Sequence, residues 1–215
     1  MNNFDGIARF YDALASIVFR GEILKSQNHF IHLIKANSHL LIVGGGSGKV
    51  LEALNRLNLP LLIDFVEPSS QMINRAKMGA SRFSNLDIHF HQAKLEEFDP
   101  SKAYDWICCF YFLDLFEKKN LIQNIDLLKD LMTDQGNLIV SDFQILKNKT
   151  WQMVLSAIIH TFFRFTTRLE SKELKDINKV IVGQRFERIE FCEFFDRFIF
   201  SAVYKNNVFK NGNHS

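Results

Sequence analysis

The residues most able to do chemistry sit early in the chain. In HLLIVGGGSGKV, Gly44, Gly46 and Gly48 fall between a short apolar run and the start of a helical pattern. Glycines at such a junction let the backbone turn sharply and let a ligand approach it closely. A dinucleotide fingerprint, G-x-G-x-x-G, fails because its last position falls on Lys49. A phosphate-binding loop, G-x-x-x-x-G-K-S/T, fails at both ends, on Val43 and Val50. Lys49 is therefore read as a solvated helix residue. Glu67 follows the next apolar run, about 20 residues after the first glycine, where a carboxylate accepts hydrogen bonds from both hydroxyls of a ribose. A glycine loop with no phosphate cradle and a carboxylate at this distance point to a nucleoside ligand. Alone, Glu67 beside Pro68 would read as a surface residue at a turn.

These residues need a frame, and the pattern supplies one. His39–Val43 reads as a buried strand, and Val50, Leu51, Leu54 and Leu57 recur at helical spacing. Leu61–Val66 is a second strand. Ser69 or Ser70 caps a helix with an inner face of Met72, Ile73 and Ala76. Ile88–His91 and Trp106–Phe110 are the third and fourth strands. Leu121, Ile122, Ile125, Leu128 and Leu131 form a helical stripe, with Gly136 expected to end that helix before a fifth strand at Leu138–Val140. Repeated strand–helix units predict an α/β fold with a parallel sheet and helices on both faces.

Two helices are expected before the first strand, around Ala8–Phe19 and Glu22–Lys35. An amphipathic helix carrying Trp151, Val154, Leu155, Ile158, Ile159 and Phe162 is expected after the fifth. Ser171–Val182 is expected to be helical with Gly183 at its C-cap. Phe186–Phe194 and Phe198–Tyr204 flank Asp196-Arg197 and predict an antiparallel hairpin.

With these elements in place, five segments carry a family resemblance: LLIVGGGSGKVLEAL, IDFVEPSSQMINRAK, IHFHQAKLEEF, YDWICCFYFLDLF and GNLIVSDF. In order and spacing the chain resembles class I methyltransferases that use S-adenosylmethionine (SAM), and is most similar to the small-molecule enzymes of the ubiquinone/menaquinone C-methyltransferase type. The opening FDGIARFYDAL also looks like that family's N-terminal signature. The resemblance implies a Rossmann-like, seven-stranded, mostly parallel sheet with the antiparallel pair at its C-terminal end. It implies that Gly44, Gly45 and Gly46 pass the methionine part of SAM, that Glu67, next to Pro68, holds the ribose, and that Met72 lies against one adenine face. Gln92 and Ala93 fall where the family contacts the adenine edge. Gln92 stands where the family commonly has Asp, so an amide oxygen would accept from the adenine amino group in neutral, weaker form. Cys109 and Phe110 would lie near the sulfonium and amino group, and Tyr11 would come from an N-terminal helical lid over residues 1–36.

No dedicated catalytic motif is visible, and SAM chemistry requires none. Asp114, Asp142 and His160 are the candidates for orienting an acceptor or taking its proton, against the plainer readings of capping, solvation or packing. His29 with His32, and His89 with His91, share faces but have no carboxylate or cysteine at a ligand spacing, so no metal is expected. No nucleophile elbow is present. The acceptor is expected to be small and partly apolar, bounded by the N-terminal segment and by residues 150–165, where Phe163 and Phe165 lie off the core stripe.

Composition narrows the classes further. The 215 residues fit one domain, read as 1–205 with a frayed tail at 206–215. A net charge of +2 argues against a phosphate-backbone partner such as nucleic acid. The opening has no basic start followed by an apolar stretch, no run is long enough to span a bilayer, and the three cysteines form no CxxC. A reduced cytoplasmic setting and a monomer or homodimer are the expectations. Three other readings stay open at this point: an NAD(P)-dependent Rossmann oxidoreductase, a SAM-binding protein without catalysis, and an RNA or protein methyltransferase, against which the weak net charge and the lack of an added recognition domain argue mildly.

Overall fold

The computed structural model describes residues 21–100, 102–144 and 176–206. The elements expected at Ala8–Phe19 and Trp151–Phe162 lie outside the described residues, as do Tyr11, His160, Phe163, Phe165 and the tail beyond Asn206.

The described chain runs α1 (Glu22–Asn28), β1 (His39–Val43), α2 (Lys49–Arg56), β2 (Leu61–Val66), α3 (Ser70–Ala80), β3 (Leu86–His91), β4 (Tyr104–Phe110), α4 (Lys118–Asp130), β5 (Met132–Phe143), α5 (Ile177–Gly183), β6 (Phe186–Phe194) and β7 (Ile199–Asn206). The sheet has seven strands in the order β3-β2-β1-β4-β5-β7-β6. The first five are parallel; β7 runs antiparallel to both β5 and β6. This is the Rossmann-like sheet with an antiparallel terminal pair that the resemblance implies. The β6–β7 turn takes positive φ at Phe195, Asp196 and Arg197, which a short antiparallel connection tolerates and a parallel one could not use.

The central strands are apolar on both sides because helices cover both faces. Leu40, Ile42, Leu51, Leu54, Ile63 and Phe65 belong to one core; Leu41, Val43, Ile107, Leu121, Ile125 and Leu138 belong to the other. Alternation along each strand thus divides the chain between two layers, with the strand ends free to carry a site.

Several boundaries differ from expectation, among them the start of β5, at Met132 rather than Leu138. The helix begun at Glu22 ends at Asn28, and a 3-10 turn at Ile31–Leu33 follows before Ile34 becomes extended. The break lets Phe30, Ile31 and Ile34 all enter the core. The α4 helix ends at Asp130, with Leu131 as its C-cap, so Gly136 does not end it. Gly136 lies inside β5, where the register with β4 shifts between Tyr104 and Trp106. A Cβ there would sit 3.0 Å from the Tyr104 carbonyl oxygen, so the glycine serves a bulge. At the other end of the chain, α5 starts at Ile177 because the Asp176 side chain accepts from the Lys179 N–H at 3.0 Å. Gly183 is its last helical residue rather than its cap, and the left-handed residue is Arg185.

The sequence reading missed a polar cluster on the outer part of the sheet. Asp64 on β2 accepts from the Tyr104 hydroxyl at 2.8 Å, and its carboxylate meets His91 Nε2 at 2.6 Å and His39 Nε2 at 3.0 Å. Burial would raise this carboxyl, but the bonds to His91, Tyr104 and His39 hold it below the usual carboxylate range. A depressed carboxylate contributes stability above its unfolded pKa of about 4 and loses that contribution as pH falls through the folded value. The stability advantage of the parent over Asp64→Asn is therefore expected to shrink as pH drops from about 6 to about 3. Urea unfolding across that range checks this; an advantage that grows on acidification would contradict it.

Candidate functional site

The C-terminal edges of β1, β2, β3 and β4 meet at one end of the sheet, where open α/β folds place ligands. Each strand hands the chain to a loop there. After β1, the Gly44 N–H bonds the Val66 carbonyl at 2.9 Å, tying the glycine loop to the end of β2. Gly46 takes φ 55 with nothing within 4 Å of an imagined Cβ, so its outer side is open. Gly45 is the opposite case: a Cβ there would lie 2.2 Å from Phe65 Cζ. The loop is therefore pressed onto the core at one glycine and open at the next, and only glycine allows both.

Glu67 stands directly across from this loop. It is buried, one oxygen accepts the Gly46 N–H at 3.0 Å, and the other accepts the Ser69 N–H at 3.0 Å. A carboxylate has about four acceptor positions, so roughly two remain for ligand hydroxyls. Pro68 is exposed. Ser69, and not Ser70, is the N-cap of α3, its hydroxyl accepting the Met72 N–H at 3.4 Å. Ile73 and Ala76 enter the core while Met72 stays only half-buried in the first turn, so Met72 is not part of the inner face. Lys49 is exposed, as a solvated helix residue should be.

After β3, Gln92 is exposed and Ala93 half-buried beside it. At the end of β4, the Cys109 and Phe110 side chains are both buried, in opposite core layers. Burial, with Cys108 and Asp142 nearby, pushes the Cys109 thiol well above its usual range. Only the backbone of these two residues is then available to a ligand at the strand edge.

The remaining acidic candidates lie just after β4 and at the end of β5. Asp142 is fully buried; one oxygen accepts the Leu113 and Asp114 N–H groups at 3.2 and 3.3 Å, and the other accepts the Phe143 N–H at 2.8 Å. Burial and the adjacent Asp114 carboxyl hold Asp142 well above the usual carboxylate range. Asp114 is itself buried next to it. Asp142 thus holds the loop after β4 in place. Sequence reasoning also missed Phe112, whose ring carbon Cδ2 would lie 2.7 Å from a Cβ at Gly44, and Tyr111, which takes φ 54. No residue pattern announces either one, because both depend on a contact across the sheet.

A glycine loop open at Gly46, a buried carboxylate beside it and this strand order define a class I, Rossmann-like methyltransferase, an enzyme that uses SAM. Residues 19–179 match the methyltransferase domain family, and the chain belongs to it. A search of the curated proteins returns no match. Among solved structures, the fold is similar to the N-methyltransferase NodS of Bradyrhizobium japonicum in complex with S-adenosylhomocysteine (SAH), with TM-score 0.60, 14% identity, and 87% of this chain and 85% of that one covered. It is similar to the 1,6-didemethyltoxoflavin-N1-methyltransferase of Burkholderia thailandensis, with TM-score 0.68, 10% identity, and coverage of 94% and 85%. It is also similar to an O-methyltransferase family 2 protein of Planctomyces limnophilus in complex with apigenin, with TM-score 0.67, 15% identity, and coverage of 96% and 62%. At these identities the likeness is one of fold. No helix among the described residues is long and apolar enough to cross a membrane.

Proposed function

We propose that this methyltransferase acts on a small, partly apolar acceptor, binding SAM along Gly44, Gly45 and Gly46 with its ribose on Glu67. The observation that carries the site is the buried Glu67 carboxylate, bonded to the Gly46 N–H beside the open side of the loop. The donor set fits: open backbone for the methionine part, free acceptor positions for a ribose, and no phosphate cradle. On this reading Gln92 and Ala93 contact the adenine edge and Met72, half-buried at the start of α3, lies against one adenine face.

SAM supplies a methyl group already activated by its sulfonium. What the chain's own residues contribute is alignment and exclusion of water. Gly45, locked against Phe65, fixes the height of the loop, and Asp142 fixes the loop after β4 that faces it. The reading needs no dedicated base; Asp114, Asp142 and His160 are its candidates for orienting an acceptor or taking its proton. The small, partly apolar acceptor is supported by the near-neutral charge and by the phenylalanine-rich segments that flank the described core. Two of the neighbouring structures carry small molecules of that kind in their names, 1,6-didemethyltoxoflavin and apigenin, each said of its own protein. The domain is read as single, with residues 1–36 on the acceptor side.

Incubating the protein with a cell extract and methyl-labelled SAM tests this. Label is expected in a low-molecular-weight product that partitions into organic solvent. Label confined to protein or RNA would contradict the acceptor class. Within that assay, Phe163→Ser and Phe165→Ser are expected to lower turnover while SAM affinity is unchanged; parent rates in both would remove these residues from the acceptor site.

A further inference from the structure

We propose that Tyr111 is a positioning residue for the cofactor pocket, and that its hydroxyl couples helix α1 to the wall of that pocket. The inference rests on reading Gly44–Gly46 as the wall along which the cofactor's methionine part lies.

Tyr111 directly follows β4 and lies in the left-handed region, at φ 54. A bulky residue adopts that conformation only where its surroundings over-determine it. Here they do so three times. The Tyr111 N–H donates to the Ser141 carbonyl at 2.7 Å. Its ring lies 4.8 Å from the Phe143 ring. Its hydroxyl is 2.7 Å from the Ser26 hydroxyl of α1.

Hydrogen bookkeeping orients that last bond. Ser26 has one hydroxyl hydrogen, given to the Ile23 carbonyl at 2.8 Å, so Tyr111 must donate to Ser26. Ser141 lies 3.0 Å from the Ser26 carbonyl and 2.9 Å from the Ser201 hydroxyl. A carbonyl cannot donate, so Ser141 donates to it and Ser201 donates to Ser141. Ser26, Ser141 and Ser201 are all fully buried. The result is a satisfied polar network joining α1, the tip of β4, β5 and β7, and such a network holds one backbone arrangement rather than several.

What it holds is the residue next in line. Phe112 follows Tyr111 and packs on Gly44, so closely that a Cβ there would meet it at 2.7 Å. Relaxing Tyr111 toward negative φ would redirect Phe112 and remove the ring that backs the glycine loop. The far end of this stretch is already pinned, by Asp142 on the Leu113 and Asp114 N–H groups. The Tyr111–Ser26 bond therefore sets the fraction of molecules whose loop is ready for ligand, and apparent affinity scales with that fraction.

The test is a double-mutant cycle read by calorimetry with SAH. Tyr111→Phe and Ser26→Ala are each expected to weaken SAH about fivefold, the equivalent of one neutral hydrogen bond. The double variant is expected to lose about fivefold as well, because both changes remove the same bond. SAH should slow hydrogen exchange at the amides of residues 22–28 in the parent and not in Tyr111→Phe. Parent-like affinity in Tyr111→Phe, losses that multiply in the double variant, or α1 protection that survives the substitution would each overturn the proposal. Glu67→Ala separates the two readings. If it weakens SAH while Tyr111→Phe does not, only the positioning role fails; if the parent binds no SAH, the site itself is wrong and the coupling falls with it.

Discussion

Glu67→Ala is expected to weaken SAM binding roughly tenfold to hundredfold. Each charge-assisted hydrogen bond contributes about 1.5–3 kcal/mol, and 1.4 kcal/mol is a factor of ten. The loss has two sources. The ribose hydroxyls lose their acceptor, and the Gly46 and Ser69 N–H groups lose the carboxylate that now spans the β1 and β2 loops. Glu67→Gln keeps one acceptor oxygen and should fall between parent and alanine variant. Calorimetry with SAM on the three proteins decides it. Equal affinity in parent and Glu67→Ala would remove Glu67 from the site.

Gly45→Ala is expected to damage both stability and binding. The added Cβ would lie 2.2 Å from Phe65 Cζ and 2.3 Å from Cε2, well inside carbon–carbon contact. The Phe65 ring has no room to yield, being fully buried on β2 and packed against Phe90 at 5.2 Å. Overpacking of this kind costs about 1–3 kcal/mol, and for a chain of this length each kcal/mol lowers Tm by roughly 2–4 °C. Because the displaced segment is the glycine loop, SAM affinity should fall with Tm. Phe65→Leu removes the clashing ring atoms, so adding it to Gly45→Ala should recover part of both losses. A Gly45→Ala protein as stable as the parent, or one that Phe65→Leu fails to help, would show that the loop does not rest on Phe65 as described.

The sheet was legible because its signals are local. His39–Val43 and Leu61–Val66 are apolar runs bounded by turn residues, and the structure places β1 and β2 on those residues. The glycine loop and Glu67 were legible for a related reason: short spacing on consecutive elements carries them. Errors arose where tertiary contact overrides the local signal. Gly136 looks like a helix stop from its neighbours, yet a close approach to Tyr104 across the sheet is what requires it. Gly183 looks like a C-cap, yet the chain turns at Arg185. Part of what Asp142 does was silent too, since two of its three N–H donors come from a loop nearly thirty residues away in sequence. Asp64 and Tyr111 were silent for the same reason, since each gains its role from residues on other strands or on α1.

The most direct test of the account is a calorimetric titration of the purified protein with SAH and, separately, with NADH. The glycine loop, the Glu67 carboxylate and the absence of a phosphate-binding fingerprint in the sequence predict a single SAH site and no NADH binding. Saturable binding of NADH with no response to SAH would contradict it and return the glycine loop to dinucleotide chemistry.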